Sequence, residues 1–157
     1  MPAIHRKQLR KAPETNDNYL SAMPQWFKVV VDYTDVQTAA TTLTLTLLTL
    51  PKKTFVHAIQ WKATGWTTTF SGTKKTLAIQ IGDEDDTDRW LITTSIWSTG
   101  AGTINIEDGI GLTPWCGDLT NTHDLEVQFD GSGDAEDLTD VTAGTLTIWF
   151  LLSSADL

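Results

Sequence analysis

Only one cysteine, Cys116, occurs among the 157 residues, so no intramolecular disulfide is possible and the core must rest on packing. The length permits that: a chain of about 150 residues buries roughly 68–70% of the surface its unfolded form exposes. The lone thiol reads as a small buried hydrophobe and fits a reducing compartment. Long apolar runs are also lacking. No segment approaches the about 20 apolar residues of a membrane helix, and the start, Met1-Pro2-Ala3-Ile4-His5-Arg6, shows no apolar signal core. The expectation is a soluble chain made in the cytoplasm, with no membrane partner.

Histidine is scarce. His5, His57 and His123 are the only imidazoles, and none has a second histidine or cysteine at metal-ligand spacing. His123 beside Asp124 and near Cys116 is the one grouping that suggests nucleophilic chemistry, but it lacks the surrounding pattern of a hydrolase and reads as accidental. His57, among apolar neighbours, reads as a satisfied core or interface side chain. No glycine-rich phosphate loop is present, and no cofactor is assigned. A carboxylate pair for glycoside cleavage is a spatial matter on which the sequence is silent.

Basic residues are few and unevenly placed. Of 11 lysines and arginines, four (Arg6, Lys7, Arg10, Lys11) fall in residues 1–13, where there is no acid. The remaining residues carry 7 basic and 20 acidic groups, a formal charge of −13. An acidic body repels phosphate backbones, which disfavours nucleic acid as a partner. Residues 1–25 hold three of the five prolines and no sustained period, so they read as an extended basic arm that orders against a partner.

Helical periodicity is missing throughout, and alternation takes its place. In Thr42-Leu43-Thr44-Leu45-Thr46-Leu47 the side chains fall on opposite faces of a strand, one apolar and one polar. The extra Leu48 implies either a bulge or a stretch covered on both sides, and Pro51 ends the ladder. Residues 26–33, 75–81, 89–97, 103–107, 123–129 and 145–152 read as further strands. So does 54–63, where Phe55, Ile59, Trp61 and Ala63 share an apolar face with His57. Residues 64–72 read as a loop or short edge element, and 98–102 as a small-residue turn. The 27 threonines suit outer strand faces. About eight short strands with turn chemistry between them predict an all-β, antiparallel, jelly-roll-like β-sandwich over residues 26–157, with the arm at 1–25.

Two acidic clusters invite a metal. Counting a helix-loop-helix calcium loop from Asp83 puts Asp88 at the glycine position and Thr94 at the glutamate position, so the motif fails. The same count fails from Asp130. An exposed acidic hairpin is the reading adopted for residues 83–88, with a non-standard cation site between strands as its alternative. Seven tryptophans are many for this length. Trp61 reads as core, whereas Trp66 and Trp115 sit in expected loops and are candidates for exposure, so a sugar-stacking platform competes with core or interface roles.

Two segments carry a resemblance. Val29-Val30-Val31-Asp32-Tyr33-Thr34-Asp35, the strand ending Leu50-Pro51, and Val56-His57-Ala58-Ile59 resemble small virion structural proteins of tailed bacteriophages. Residues 138–149 are similar to the family's closing segment, where a Leu-Thr-Ala-Gly turn feeds the last strand. The resemblance implies a non-enzymatic capsid decoration (cement) protein, trimeric, bound to the major capsid protein outside the head. It would place Ile4, Arg6, Lys7, Leu9, Arg10 and Lys11 at a capsid or protomer contact. The rival expectations are a tail- or fibre-associated module that binds a host glycan and, third, a small β-sandwich hydrolase.

Overall fold

The computed structural model describes residues 24–69, 77–96, 121–131 and 137–154, with the backbone pairing of 98–105 and 115–116. The basic arm, including Ile4, Arg6, Lys7, Leu9, Arg10 and Lys11, lies outside the described residues. The described residues form nine strands, one helical turn and one 3-10 turn. They are β1 (Gln25–Asp32), α1 (Tyr33–Val36), β2 (Thr42–Leu50), β3 (Thr54–Thr68), β4 (Ala78–Asp83), β5 (Asp86–Ser95), β6 (Ser98–Asn105), β7 (Trp115–Cys116), β8 (His123–Asp130), the 3-10 turn Leu138–Asp140, and β9 (Val141–Ser154). One sheet runs β1-β9-β3-β6 with β7 also on β3, and the other runs β2-β8-β4-β5. All pairings are antiparallel. This is the expected all-β sandwich.

The first and last strands are neighbours, with Gln25 opposite Leu152 and Asp32 opposite Thr145. A short device then carries the chain across to the second sheet. Asp32 caps α1: its carboxylate accepts from the Thr34 N–H at 3.2 Å, while Asp35 accepts from the Asp32 N–H at 3.0 Å. The turn buries Val36.

In β2 the extra leucine is a bulge. Thr46 pairs with Glu126 and Leu48 with Leu125, which leaves Leu47 unmatched and fully buried. The threonine face is the outer one. The Gln128 side-chain amide donates to Thr44 Oγ1 at 3.2 Å, and Thr49 Oγ1 donates to Asp124 at 2.6 Å.

β3 departs from expectation twice. A bulge at His57, between the pairs Val56–Leu152 and Ala58–Leu151, inverts the phase ahead of it. Val56 therefore faces the core and Phe55 does not, whereas Ile59, Trp61 and Ala63 are buried as their alternation predicts. The strand also continues through the expected loop to Thr68. Gly65 at φ 66 turns the chain so that Trp66, expected to be exposed, is fully buried. Its ring lies 5.4 Å from Phe129 of the facing sheet and joins the two layers.

Gly144 makes that contact possible. At φ 142 it adopts a backbone that side chains rarely tolerate, and a Cβ there would stand 2.2 Å from Trp66 Cδ2. Residues 98–102 correct another expectation: they belong to β6, with Gly102 opposite Trp61 and Gly100 opposite Ala63. Gly144→Ala is expected to cost about 3 kcal/mol from overpacking and backbone strain together. Urea denaturation checks this, and combining it with Trp66→Leu is expected to recover part of the loss.

Candidate docking surfaces

The two sheets turn different outer faces to their surroundings. On the β2-β8-β4-β5 sheet the outer row is polar and internally bonded. Besides the Thr44–Gln128 contact, the Gln80 amide donates to Thr93 Oγ1 at 2.7 Å. Ile92, 71% exposed on the edge strand β5, is the apolar exception. On the β1-β9-β3 sheet the outer row includes Trp26, Trp149, Leu151 and Phe55, all partly or largely exposed. Lys28 Nζ sits 5.9 Å above the Trp149 ring, a cation–π arrangement that covers part of the indole.

The acidic run is not the uniformly exposed hairpin expected. Asp83 is fully buried at the end of β4. Its carboxylate accepts from Arg89 Nε at 2.5 Å and Nη2 at 3.2 Å, and from the N–H groups of Asp85 and Asp86 at 3.1 and 2.9 Å. The first acid thus folds the hairpin rather than offering itself to a ligand. Glu84, Asp85, Asp86 and Asp88 are exposed. Gly82 allows the tight return, because a Cβ there would meet Asp86 O at 2.0 Å. Among the described residues no group of three or more His, Cys, Asp or Glu is placed to hold a metal ion.

The hairpin approaches the start of β8. The Glu84 N–H donates to Asp124 O at 3.2 Å, and His123 Nδ1 stands 3.4 Å from Glu84 Oε1. His123 and Cys116 belong to different sheets. Partial burial raises the Glu126 carboxyl above its usual value, and the charges of Asp124, Glu84 and Asp83 push it further the same way. Asp88 is raised too, first by its hydrogen bond with the Asp86 carboxyl.

His57 meets its expected fate as a satisfied side chain, since Nε2 is hydrogen-bonded to Ser153 Oγ at 2.7 Å. Its position is the outer face of the sheet, beside Phe55 at 6.3 Å between ring centroids. Of the tryptophans with described side chains, Trp61 and Trp66 are buried, Trp90 and Trp149 are partly buried, and Trp26 is 44% exposed. A glycan platform drawing on Trp66 is therefore ruled out, and Trp26 emerges as the exposed indole that the strand pattern of residues 26–33 did not single out.

Comparison with solved structures places this architecture. The chain superposes on a chain of the cyanophage Pam1 capsid asymmetric unit with a TM-score of 0.55 at 15% identity, covering 97% of this chain and 98% of that one. It superposes on a chain of the capsid of Ralstonia phage GP4 with a TM-score of 0.57 at 10% identity, covering 94% and 93%. The fold is one found in phage capsids. No protein-family model matches the sequence, and no curated protein matches it. Since coverage is nearly complete in both directions, the matched chains are close to this one in length.

Removing the cation from the hairpin tests its role. Arg89→Ala leaves a buried carboxylate without its counter-charge and is expected to cost about 3 kcal/mol in chemical denaturation. Glu126 makes a pH prediction. A carboxyl whose folded pKa exceeds its unfolded value binds its proton more tightly when folded, so stability falls as pH rises from about 4.5 through the raised folded value. Glu126→Gln is therefore expected to raise Tm at pH 7, with the gain vanishing below pH 4.5, as thermal melts across that range would record.

Proposed function

We propose that this chain is a non-enzymatic cement protein of a tailed-phage head, bound to the outside of the shell and bridging major capsid subunits, working as a homo-oligomer of trimer type. The observation that carries this reading is the end-to-end superposition on similarly sized chains from two phage capsids. The resemblance of residues 29–59 and 138–152 to small virion proteins points the same way.

In this reading the sandwich is the rigid part and the arm is the clamp. Arg6, Lys7, Arg10 and Lys11 form charge-assisted hydrogen bonds with acidic groups on a capsid subunit or a neighbouring protomer, while Ile4 and Leu9 fill apolar notches. The division matches the charge asymmetry of the chain: a cation-rich arm reaches out from an acidic body that repels its own copies until docking neutralises them. Deleting residues 1–13 is expected to leave the far-ultraviolet circular dichroism and Tm of the domain unchanged while abolishing attachment to purified capsids. Unchanged occupancy of the truncated protein on capsids would remove the arm from the mechanism. Copies in the hundreds on the head support the cement role, and a few at the tail refute it.

A further inference from the structure

The two sheets differ in the sign of their charge. β1, β3 and β9 hold two lysines, Lys28 and Lys62, and a single acid, Asp32, which caps α1 at the far corner. Residues 78–95 hold five carboxylates and residues 123–130 three more, against one cation, Arg89, which is bound to Asp83.

Both lysines stand on the outer face of their sheet. Val29, Trp61 and Ala63 beside them in sequence are buried, which points Lys28 and Lys62 outward. Lys28 lies opposite Trp149, and Lys62 lies opposite Thr147, the next outward residue of β9. Their Cα positions are thus two strand spacings and one side-chain repeat apart, about 12 Å. Among the described residues neither lysine has a carboxylate within ion-pair reach, and Lys28 rests above the Trp149 ring at 5.9 Å. Trp26, two residues before Lys28 on the same side and 44% exposed, borders them.

The acidic hairpin is in the converse position. Glu84 has His123 beside it, but among the described residues the exposed Asp85, Asp86 and Asp88 have no cation in reach. Asp86 and Asp88 bond to each other instead. Hairpin and lysine face also stand level along the strands. β2 ends at Leu50 opposite His123, next to Asp124, whose carbonyl accepts from the Glu84 N–H. Pro51 to Lys53 then start β3 at Thr54 opposite Ser154, at the end where Gln25 lies opposite Leu152. A rotation about an axis parallel to the strands therefore carries the hairpin of one copy to the height of its neighbour's lysines.

We infer that the outer β1-β9-β3 face receives the acidic hairpin of a second copy of this chain, with Lys28 and Lys62 paired to its Asp85 and Asp86. Charge complementarity selects this occupant, and Trp26 at the border screens the pairs from water, where exposed ion pairs contribute little. Each protomer uses two different patches, so the contact is head-to-tail and closes as a ring. The inference rests on the homo-oligomer of the proposed function and names its contact; it does not depend on capsid attachment.

Sedimentation of the full-length chain tests it. The unmodified chain is expected to associate in a concentration-dependent way. Lys28→Glu with Lys62→Glu, and separately Asp85→Lys with Asp86→Lys, are each expected to weaken association about 100-fold by setting like charges against each other. Mixing the two variants is expected to restore it. The hairpin reversal spares the internal turn, because Asp85 and Asp86 bind Asp83 through their backbone N–H groups. Far-ultraviolet circular dichroism checks each fold, and Lys62→Glu alone, at an exposed position, serves should the double lysine variant fail to fold. An oligomer that survives both reversals, or that mixing does not restore, overturns this contact and leaves the homo-oligomer standing. A chain that sediments as a monomer at every concentration overturns the homo-oligomer together with it.

Discussion

The ladder between β3 and β9 is the constraint on which this molecule depends. β9 is paired on both sides, to β1 and to β3, and its alternation of Leu146, Ile148, Phe150 and Leu152 supplies the inner row of its sheet. Near one end of the ladder, Trp66 presses on Gly144 from the neighbouring strand and reaches Phe129 across the core. That single indole ties together β3, β9 and β8. The bulges around it are the means by which a straight ladder is bent to deliver the ring into the interior.

With the core so arranged, the two outer faces become free to differ. One is lined by threonine and glutamine side chains that bond to one another, which leaves little unmet demand for a partner. The other combines indoles, aliphatic groups and two lysines. The acidic hairpin between β4 and β5 is shaped by the Asp83–Arg89 pair, so its charge is in part structural.

Much of the frame was legible from alternation. Residues 42–50 declared a strand and an irregularity beside Leu48, and the bulge fell at Leu47. What was not legible depended on partners distant in sequence. The phase of Phe55 and Val56 is inverted by a bulge at His57 that no local pattern announces. The small residues of 98–102 resemble a turn, yet they are strand residues because Gly102 and Gly100 lie opposite Trp61 and Ala63. Trp66 looked like a loop residue because its burial is decided by Gly144, far along the chain. Local preference yields to such contacts in β structure more readily than in helices, since strand propensity mostly measures fit to neighbours. The basic arm was visible only as charge and composition, and the six residues expected to make its contacts lie outside the described residues.

The adjacency of the first and last strands carries a mechanical consequence. Because β1 and β9 are antiparallel neighbours, the chain entering β1 and the chain leaving β9 emerge at the same end, Gln25 beside Leu152. A pull between those two points would peel the pair apart one hydrogen bond at a time, whereas a pull on β1 along its own axis loads the whole ladder at once in shear. β1 therefore resists a pull at Gln25 best when the opposing load is taken by the far end of the sandwich, at the α1 and Asp32 corner. A load applied along the strands meets more resistance than one applied across them at the Gln25–Leu152 end.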